Sequence, residues 1–245
     1  IAVVNGIIEY VGSNHKFEYY KGDNTQVIHE EKGMVVPGFH DSHIHLYLAA
    51  LYESGKFIVC KGDQSEEECA KSLYKKAHPV DNNIWVLAAG WYHPIWKPRK
   101  IPSHKQLDSF FPDQPVCFLS EDCHSLWLNK KAKERLKINY DGEVIHDLDA
   151  LLLLKEIMIQ AQIDEEECIK AYIHKLNQYG ITSVCDMAII PDDKEDFVKD
   201  QCYENLLEKN ELNIRIQMYP ALSDSLDRAR MMEKKYKSGL LTFGG

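Results

Sequence analysis

The sequence predicts an α/β protein, in which the N-terminal part of a (β/α)8 barrel follows a small antiparallel sheet. Two observations predict this architecture. Residues 1–35 contain short β-type runs separated by turn-forming glycine and asparagine, which is typical of an antiparallel sheet. Residues 36–245 instead alternate short apolar runs with longer helical segments, which is typical of parallel strands joined by helices. We therefore place a domain boundary between residues 35 and 36.

The N-terminal segment contains three runs of β-type residues, at positions 1–4, 7–11 and 25–29. Asn5-Gly6 separates the first two runs and is a turn signal, because both residues tolerate a positive φ. We expect these runs to form short strands of one small sheet.

The apolar run Met34-Val35-Val36 and a tight Pro37-Gly38 bend lead into the second region. Segments with helical composition or with helix-capping residues predict helices at 65–78, 148–161, 164–180, 197–209 and 225–236. Short apolar runs predict strands at 84–89, 116–119, 181–185 and 213–219, and another strand that begins at 240–241. Ser65 and Asp164 each stand three residues before a glutamate, which is typical of a helix N-terminus.

The β/α series contains only the first few units of a barrel. A complete barrel usually needs about 250 residues by itself. The chain has 245 residues, and its last ones look like the start of another strand. Its first residue is Ile1 and not methionine. We therefore expect the chain to be an incomplete N-terminal part of a longer protein.

Charge and hydropathy argue against two classes of partner. The formal net charge is -9, with 38 acidic residues against 29 lysines and arginines, so the chain lacks the basic stripe that binds phosphate backbones. No apolar run approaches the roughly 20 residues that span a bilayer. The sequence predicts no nucleic-acid partner and no membrane partner.

The seven cysteines are scattered, and none forms a Cys-x-x-Cys pair. Free cysteine usually behaves as a small core hydrophobe, and scattered free thiols are typical of a reducing compartment. We expect buried thiols and a cytoplasmic location.

The residues that carry chemistry lie directly after the Pro37-Gly38 bend. Asp41, His43 and His45 alternate along a predicted strand, so regular alternation would place all three side chains on one face. Two neutral imidazoles on one face can hold zinc or a related metal, and Asp41 could orient one of the rings. The competing interpretation is a pair of packed or solvent-facing histidines, because a His-x-His triplet by itself is a weak signal.

The wider context, Pro-Gly-Phe-x-Asp-x-His-x-His over residues 37–45, resembles the first barrel strand of the amidohydrolase superfamily. Other segments resemble amidohydrolase family 3 over most of the chain. These are Gly6-Ile7-Ile8-Glu9-Tyr10-Val11-Gly12, Gly90-Trp91-Tyr92-His93, Leu107-Asp108, Pro115-Val116, His124-Ser125-Leu126-Trp127-Leu128-Asn129 and Gly180-Ile181-Thr182-Ser183-Val184-Cys185-Asp186-Met187. The resemblance implies that residues 1–35 are part of a β-sandwich. It also implies that residues 36–245 are the N-terminal part of the hydrolase barrel, with an insertion at about 80–147.

The resemblance implies an enzyme that hydrolyses an amide or related C–N bond other than a peptide bond through a metal-activated water. One or two divalent metal ions are implied, with zinc as the first choice, and His43 and His45 as the first two ligands. The family completes its site with a carboxylated lysine, two histidines and an aspartate from later strands, which are expected beyond Gly245. The implied substrate is a small amide-like molecule, and a homodimer is possible.

Four residues are candidates for a place in the substrate pocket or beside the metal ligands. Asp41 precedes the histidine pair, and His93 follows Trp91 in a segment rich in aromatic residues that could simply pack. His124 follows an apolar strand and could instead make a structural hydrogen bond. Asp186 ends a predicted strand and could equally cap the next helix.

Two other functions compete with the enzyme. A barrel that lacks most of its metal ligands could be a catalytically inactive binding or regulatory protein. A small structural zinc module is a poor alternative, because no cluster of cysteine and histidine closes a four-ligand site.

Overall fold

The structure, a computed structural model, describes residues 1–77, 83–140, 142–189, 196–222 and 225–245. These residues divide into two compact units, Ile1–Pro37 and Gly38–Gly245. The division falls after Pro37, where the sequence predicted a boundary after residue 35.

The first unit contains one β-hairpin, formed by β1 (Ala2–Val4) and β2 (Ile7–Tyr10), which pair antiparallel. Asn5 and Gly6 join the two strands with φ values of 51° and 80°, so both adopt the left-handed conformation that a two-residue hairpin turn requires. A short 3-10 helix, Asn14–Tyr19, follows.

The prediction of a third strand at 25–29 is wrong, because these residues have no regular secondary structure. A strand needs a hydrogen-bonded partner. Among the described residues of this unit, β1 and β2 pair only with each other. The unit therefore shows one two-stranded sheet, and a β-sandwich stays a prediction.

The second unit alternates strands with helices. Its strands are β3 (Phe39–Ile44), β4 (Ile58–Val59), β5 (Val86–Trp91), β6 (Val116–Ser120), β7 (Ser125–Leu128), β8 (Val144–His146), β9 (Ile181–Met187), β10 (Arg215–Tyr219) and β11 (Leu241–Phe243). Its α-helices are α1 (Leu46–Glu53), α2 (Glu66–Ala77), α3 (His104–Phe110), α4 (Lys130–Leu136), α5 (Asp147–Gln160), α6 (Glu165–Gln178), α7 (Asp200–Glu208) and α8 (Asp227–Lys235).

The strands of this unit form two sheets. One has the order β11-β10-β9-β3, and all of its strands are parallel. Successive parallel strands must be joined by crossovers, and α7 and α8 make these crossovers between β9, β10 and β11. The chain is therefore a mixed α/β protein with a parallel sheet, as the sequence predicted.

The other sheet has the order β4-β5-β6-β7-β8 and lies in sequence between β3 and β9. Its first three strands are parallel, and β7 and β8 are antiparallel to their neighbours. The insertion predicted at about 80–147 covers four of these five strands, and its start lies outside the described residues. The two-residue strand β4 precedes it.

Strands β5 and β6 are buried along their whole length and are apolar apart from Gly90 and Ser120, because this sheet is covered on both faces. Along β5, Leu87 and Ala89 pack into a core cluster that includes α1 and α5. Val86 and Ala88 alternate with them and pack into a second cluster with α2 and α3. The period of two along the strand thus divides its side chains between two cores.

The predicted helices and strands of this unit agree with the observed ones, apart from shifts at their ends. The predicted helix at 65–78 is α2, which ends at Ala77, and residue 78 lies outside the described residues. The Ser65 hydroxyl accepts a hydrogen bond from the Glu68 amide at 3.1 Å, and the Asp164 carboxylate accepts one from the Glu167 amide at 3.0 Å. These are the two helix caps that the sequence predicted.

Helix α1 was not predicted. Its N-cap residue, His45, makes no side-chain capping bond, so the usual local signal for a helix start is absent there. The acceptor for the first amide of α1 comes from Asp186, 140 residues away in sequence.

Two expectations from composition can be compared with the structure. All seven cysteines are free, and five of them are buried, which confirms the expected core thiols. In the described part of the chain, no helix is both long enough and apolar enough to cross a membrane.

Candidate metal centre

His43 and His45 lie together where β3 ends and α1 begins. Strand β3 ends at Ile44, and His45 is the residue that precedes α1. The centroids of the two imidazole rings are 5.3 Å apart, and the ring planes are nearly perpendicular, at 84°. The structure therefore places the two predicted ligands side by side at the C-terminal end of a parallel strand.

The alternation predicted for Asp41, His43 and His45 is wrong, because the pairing of β3 with β9 is irregular here. Asp41 aligns with Val184 and Ile44 with Asp186, so β3 uses one more residue than β9 between these two pairs. Val184 and Asp186 are two apart and share a face, and the register therefore puts Asp41 on the face of Ile44.

The physical reason lies in Asp41 itself. Its carboxylate accepts a hydrogen bond from the backbone amide of His43, two residues on, at 3.1 Å. Such a local side-chain bond competes with the strand ladder. Asp41 therefore shapes the backbone that carries the His43 ring.

The His45 ring is oriented by a backbone carbonyl. Its Nδ1 lies 2.9 Å from the carbonyl oxygen of Met187, the last residue of β9. A carbonyl only accepts, so Nδ1 carries the proton, and Nε2 keeps the lone pair that a metal ion needs. The chemistry of this ring fits a metal ligand.

Asp186 lies beside this ring pair, and it is fully buried with 0% of its surface exposed. Its Oδ1 accepts a hydrogen bond from the Leu46 amide at 2.8 Å, and its Oδ2 accepts one from the Tyr203 hydroxyl at 2.7 Å. Burial raises the pKa of Asp186 to about 7, although these two hydrogen bonds act in the opposite direction. Asp186 thus caps a helix, as one of its two interpretations proposed, but the helix is α1 and not the next one along the chain.

We expect Asp186→Ala to lower the free energy of unfolding by about 3 kcal/mol, because a buried amide and a buried hydroxyl lose their acceptor. Asp186→Asn keeps an acceptor for Leu46, and its amide can donate to the Tyr203 oxygen. We expect it to cost about 1 kcal/mol or less. Urea denaturation followed by circular dichroism measures both variants, and equal losses would contradict this account of Asp186.

His93 lies two residues after the end of β5, in the other sheet, and begins a short 3-10 helix, His93–Ile95. Its ring centroid is 6.0 Å from that of Trp91, which also contacts Trp96, so the aromatic residues around it pack against one another. Burial is the largest of the effects that lower the pKa of His93. The positive charge of Arg99 acts in the same direction, and Asp122 opposes it. The lowered pKa of His93 favours its neutral form.

His124 lies at the same end of that sheet's strands as His93 and is more exposed than His93. Its Nδ1 is 3.3 Å from a carboxylate oxygen of Asp147, and 63% of its side chain is accessible. Its backbone amide donates to Asp122 at 3.0 Å. Asp122 thus interacts with both His93 and His124. The other candidates lie on the four-stranded sheet or directly after one of its strands; they are Asp41, His43, His45 and Asp186.

His40, which directly precedes Asp41 on β3, has partners at both ring nitrogens. Its Nδ1 lies 2.7 Å from the Ser183 hydroxyl, and its Nε2 lies 3.4 Å from the Cys185 sulfur. Sequence reasoning missed Tyr203 and the carbonyl of Met187, because neither the position of a tyrosine in a helix nor a backbone carbonyl has a pattern of its own.

Within the ranges that the structure describes, no group of three or more His, Cys, Asp or Glu side chains is arranged to hold a metal ion. A catalytic zinc site normally takes three protein ligands and one open position. His43 and His45 therefore fit as part of such a site.

The chain is similar to several known proteins. The sequence profile of the amidohydrolase family matches residues 26–244. The exoenzymes regulatory protein AepA of Pectobacterium carotovorum subsp. carotovorum is 29% identical over 136 residues, which cover 54% of this chain and 29% of that protein. The N-substituted formamide deformylase of Arthrobacter pascens is 21% identical over 210 residues, which cover 77% of this chain and 39% of that protein.

Among solved structures, the chain is similar to an uncharacterized metal-dependent hydrolase from Pyrococcus horikoshii. The TM-score is 0.58 at 20% sequence identity, and the match covers 85% of this chain and 41% of that one. At this level of identity the likeness concerns the fold. The chain spans between 22% and 39% of the length of the curated relatives it matches. The profile match over residues 26–244 shows that the chain belongs to the amidohydrolase family, in its family 3 branch.

Proposed function

We propose that the protein is a metal-dependent amidohydrolase that cleaves an amide or related C–N bond of a small molecule. His43 and His45 are two of its metal ligands in this proposal. The observation that carries it is the pair of adjacent rings at the end of β3, one of which is fixed by Met187 with its Nε2 lone pair available. Membership of the amidohydrolase family supports the same reaction.

The proposed architecture is the first part of a (β/α)8 barrel. In this arrangement β3, β9, β10 and β11 are the first four barrel strands, and the five-stranded sheet is an insertion after the first of them. The order and parallel direction of the four strands support it, as does the likeness in fold to the Pyrococcus horikoshii hydrolase. In such barrels the C-terminal ends of the strands build the active site, and this is the end where His43 and His45 lie.

The bound metal is proposed to be zinc, because neutral imidazole is a good zinc ligand. A divalent metal ion, when bound, polarises the carbonyl that is attacked and activates water as the nucleophile. The chain's own contribution is to place two imidazole rings side by side at the end of β3. The Met187 carbonyl sets the tautomer of His45, and the carboxylate of Asp41 holds the backbone of His43.

The substrate is proposed to be a small amide. The name of the Arthrobacter pascens relative, N-substituted formamide deformylase, supports N-substituted formamides as the first compounds to test. His93 is a candidate for the substrate pocket, since a neutral imidazole can accept or donate a hydrogen bond to an amide. His124 stays a predicted pocket residue on the same sheet edge. A cytoplasmic location and a homodimer stay predictions from the sequence.

A second candidate function is that of a catalytically inactive regulatory protein. Two observations favour it: the described residues provide two clustered candidate ligands and not three, and one relative is named an exoenzymes regulatory protein. This function requires no turnover of any amide.

The test is an assay of the full gene product with N-substituted formamides, in which formate and the free amine are both measured. We expect equal amounts of the two products, loss of activity after treatment with a chelator, and recovery when zinc is restored. Hydrolysis that is unaffected by the chelator would overturn the metal-dependent mechanism. A zinc-loaded protein that turns over no member of an amide panel would support the regulatory function instead.

A further inference from the structure

The last two residues of β9 hold the junction between β3 and α1 at two adjacent points. The carbonyl of Met187 accepts a hydrogen bond from the His45 ring at 2.9 Å. The carboxyl group of the preceding residue, Asp186, accepts one from the amide of Leu46 at 2.8 Å. One bond orients the ring, and the other fixes the backbone directly after it.

The backbone bond replaces a cap that His45 cannot provide. The first amides of a helix lack partners inside the helix and are usually capped by the side chain of the N-cap residue. His45 occupies that position, but its side chain is directed to Met187 and makes no capping bond. Asp186 supplies the acceptor for Leu46 from the neighbouring strand, and both Leu46 and Asp186 are fully buried.

Tyr203 of α7 fixes the carboxyl group of Asp186. Its hydroxyl donates to Oδ2 at 2.7 Å, while Leu46 donates to Oδ1. Tyr203 is itself fully buried, so no water replaces this donor when the hydroxyl is removed without other change. With one donor at each oxygen, the carboxyl group is held in a single orientation. The chain of contacts therefore runs from Tyr203 through Asp186 to Leu46, the residue after His45.

We propose that Tyr203 is a positioning residue for the metal site, which acts through Asp186 and Leu46 on the orientation of His45. The inference rests on the proposed function in one respect, namely that His45 is a metal ligand. Residues that orient metal ligands typically change metal affinity by 10- to 100-fold when they are replaced. Tyr203 acts through two intervening groups, so its effect belongs at the lower end of that range.

The chain offers a matched control in Tyr236. Its hydroxyl donates to a carboxylate oxygen of Asp200 at 3.0 Å, and its side chain is also buried. Tyr236→Phe therefore removes the same kind of tyrosine–aspartate hydrogen bond, and Tyr236 makes no hydrogen bond to Asp186, His45 or Leu46.

The first measurement is the affinity of the full gene product for Zn²⁺, by competition with a chromophoric chelator. We expect Tyr203→Phe to weaken binding about tenfold and Tyr236→Phe to change it less than about twofold. In a His45→Ala background, Tyr203→Phe should have no further effect, because the residue it positions is gone. Equal losses in the two phenylalanine variants would overturn the proposal, since they would reflect general loss of stability.

The second measurement uses the metal-free protein and reads the tautomer of the His45 ring by ¹⁵N NMR. We expect the Nδ1-protonated form to dominate in the wild type and in Tyr236→Phe, and a mixture of tautomers in Tyr203→Phe. An unchanged tautomer together with unchanged zinc affinity in Tyr203→Phe would overturn the proposal. A changed tautomer in a protein that binds no zinc in any form would support the positioning role and show that the ligand assignment is wrong.

Discussion

His45→Ala is expected to remove metal-dependent amide hydrolysis, with kcat/KM falling by on the order of 10³-fold, or about 4 kcal/mol of transition-state stabilisation. The physical reason is the position of this ring. Its Nδ1 is held by Met187, so its Nε2 is fixed as a lone-pair donor beside His43. An alanine provides no donor there, and a metal held by fewer ligands loses both affinity and geometry. The same variant should retain less than stoichiometric zinc after dialysis.

His174→Ala is the control for this variant, because His174 is an exposed histidine of α6. We expect its zinc content and its kcat/KM to match those of the wild type within about twofold, as for most surface substitutions. Wild-type turnover in His45→Ala would show that this ring is not a ligand and that the reaction uses another site.

Arg228→Ala is expected to cause the largest loss of stability, about 3–5 kcal/mol of the free energy of unfolding. Asp196 has 2% of its surface exposed, and the Arg228 guanidinium donates to both of its carboxylate oxygens, at 2.5 and 3.0 Å. The same carboxylate accepts from the backbone amides of Val198 and Ala221. Without Arg228, a buried negative charge would lose its counter-ion.

This ion pair links the segment after β9 to the start of α8. Both segments follow the C-terminal ends of strands in the four-stranded sheet. Arg230→Ala is the control, since Arg230 is exposed on the same helix, and we expect a change within about 0.5 kcal/mol. Guanidinium denaturation of both variants checks the prediction. A loss below about 1 kcal/mol in Arg228→Ala would indicate that water or another cation replaces the arginine.

Local signals in the sequence were sufficient to predict several helices and strands, although α3 and α4, which are capped by Ser103 and Asn129, were not predicted. Helix α6 has Asp164 as its cap, and Gly180 follows its end with a φ of 77°. The hairpin of the first unit likewise depends on its own Asn5-Gly6 turn. Such signals act within a few residues, so a single sequence contains them in full.

Features that depend on distant residues could not be predicted in this way. Helix α1 begins where Asp186, on another strand, provides the missing acceptor. The irregular pairing of β3 depends on how Asp41 bonds its own backbone in competition with β9. Regular alternation therefore put Asp41 on the wrong face.

The candidate site likewise combines features that the local sequence predicts with features that depend on distant residues. The motif around His43 and His45 identified the two rings, because their spacing and their position after the Pro37-Gly38 bend are local. The contacts that orient His45 come from β9 and α7, about 140 residues or more along the chain. Tyr203 has no local feature that distinguishes it from a tyrosine that simply packs in a core.

We propose that His43 and His45 together bind the catalytic metal. The most direct measurement is an anomalous difference map from crystals of the zinc-loaded full gene product, with data collected on both sides of the zinc absorption edge. We expect one strong peak at about 2.0–2.1 Å from Nε2 of His45 and from a ring nitrogen of His43. A fully occupied zinc ion that contacts neither ring would contradict it.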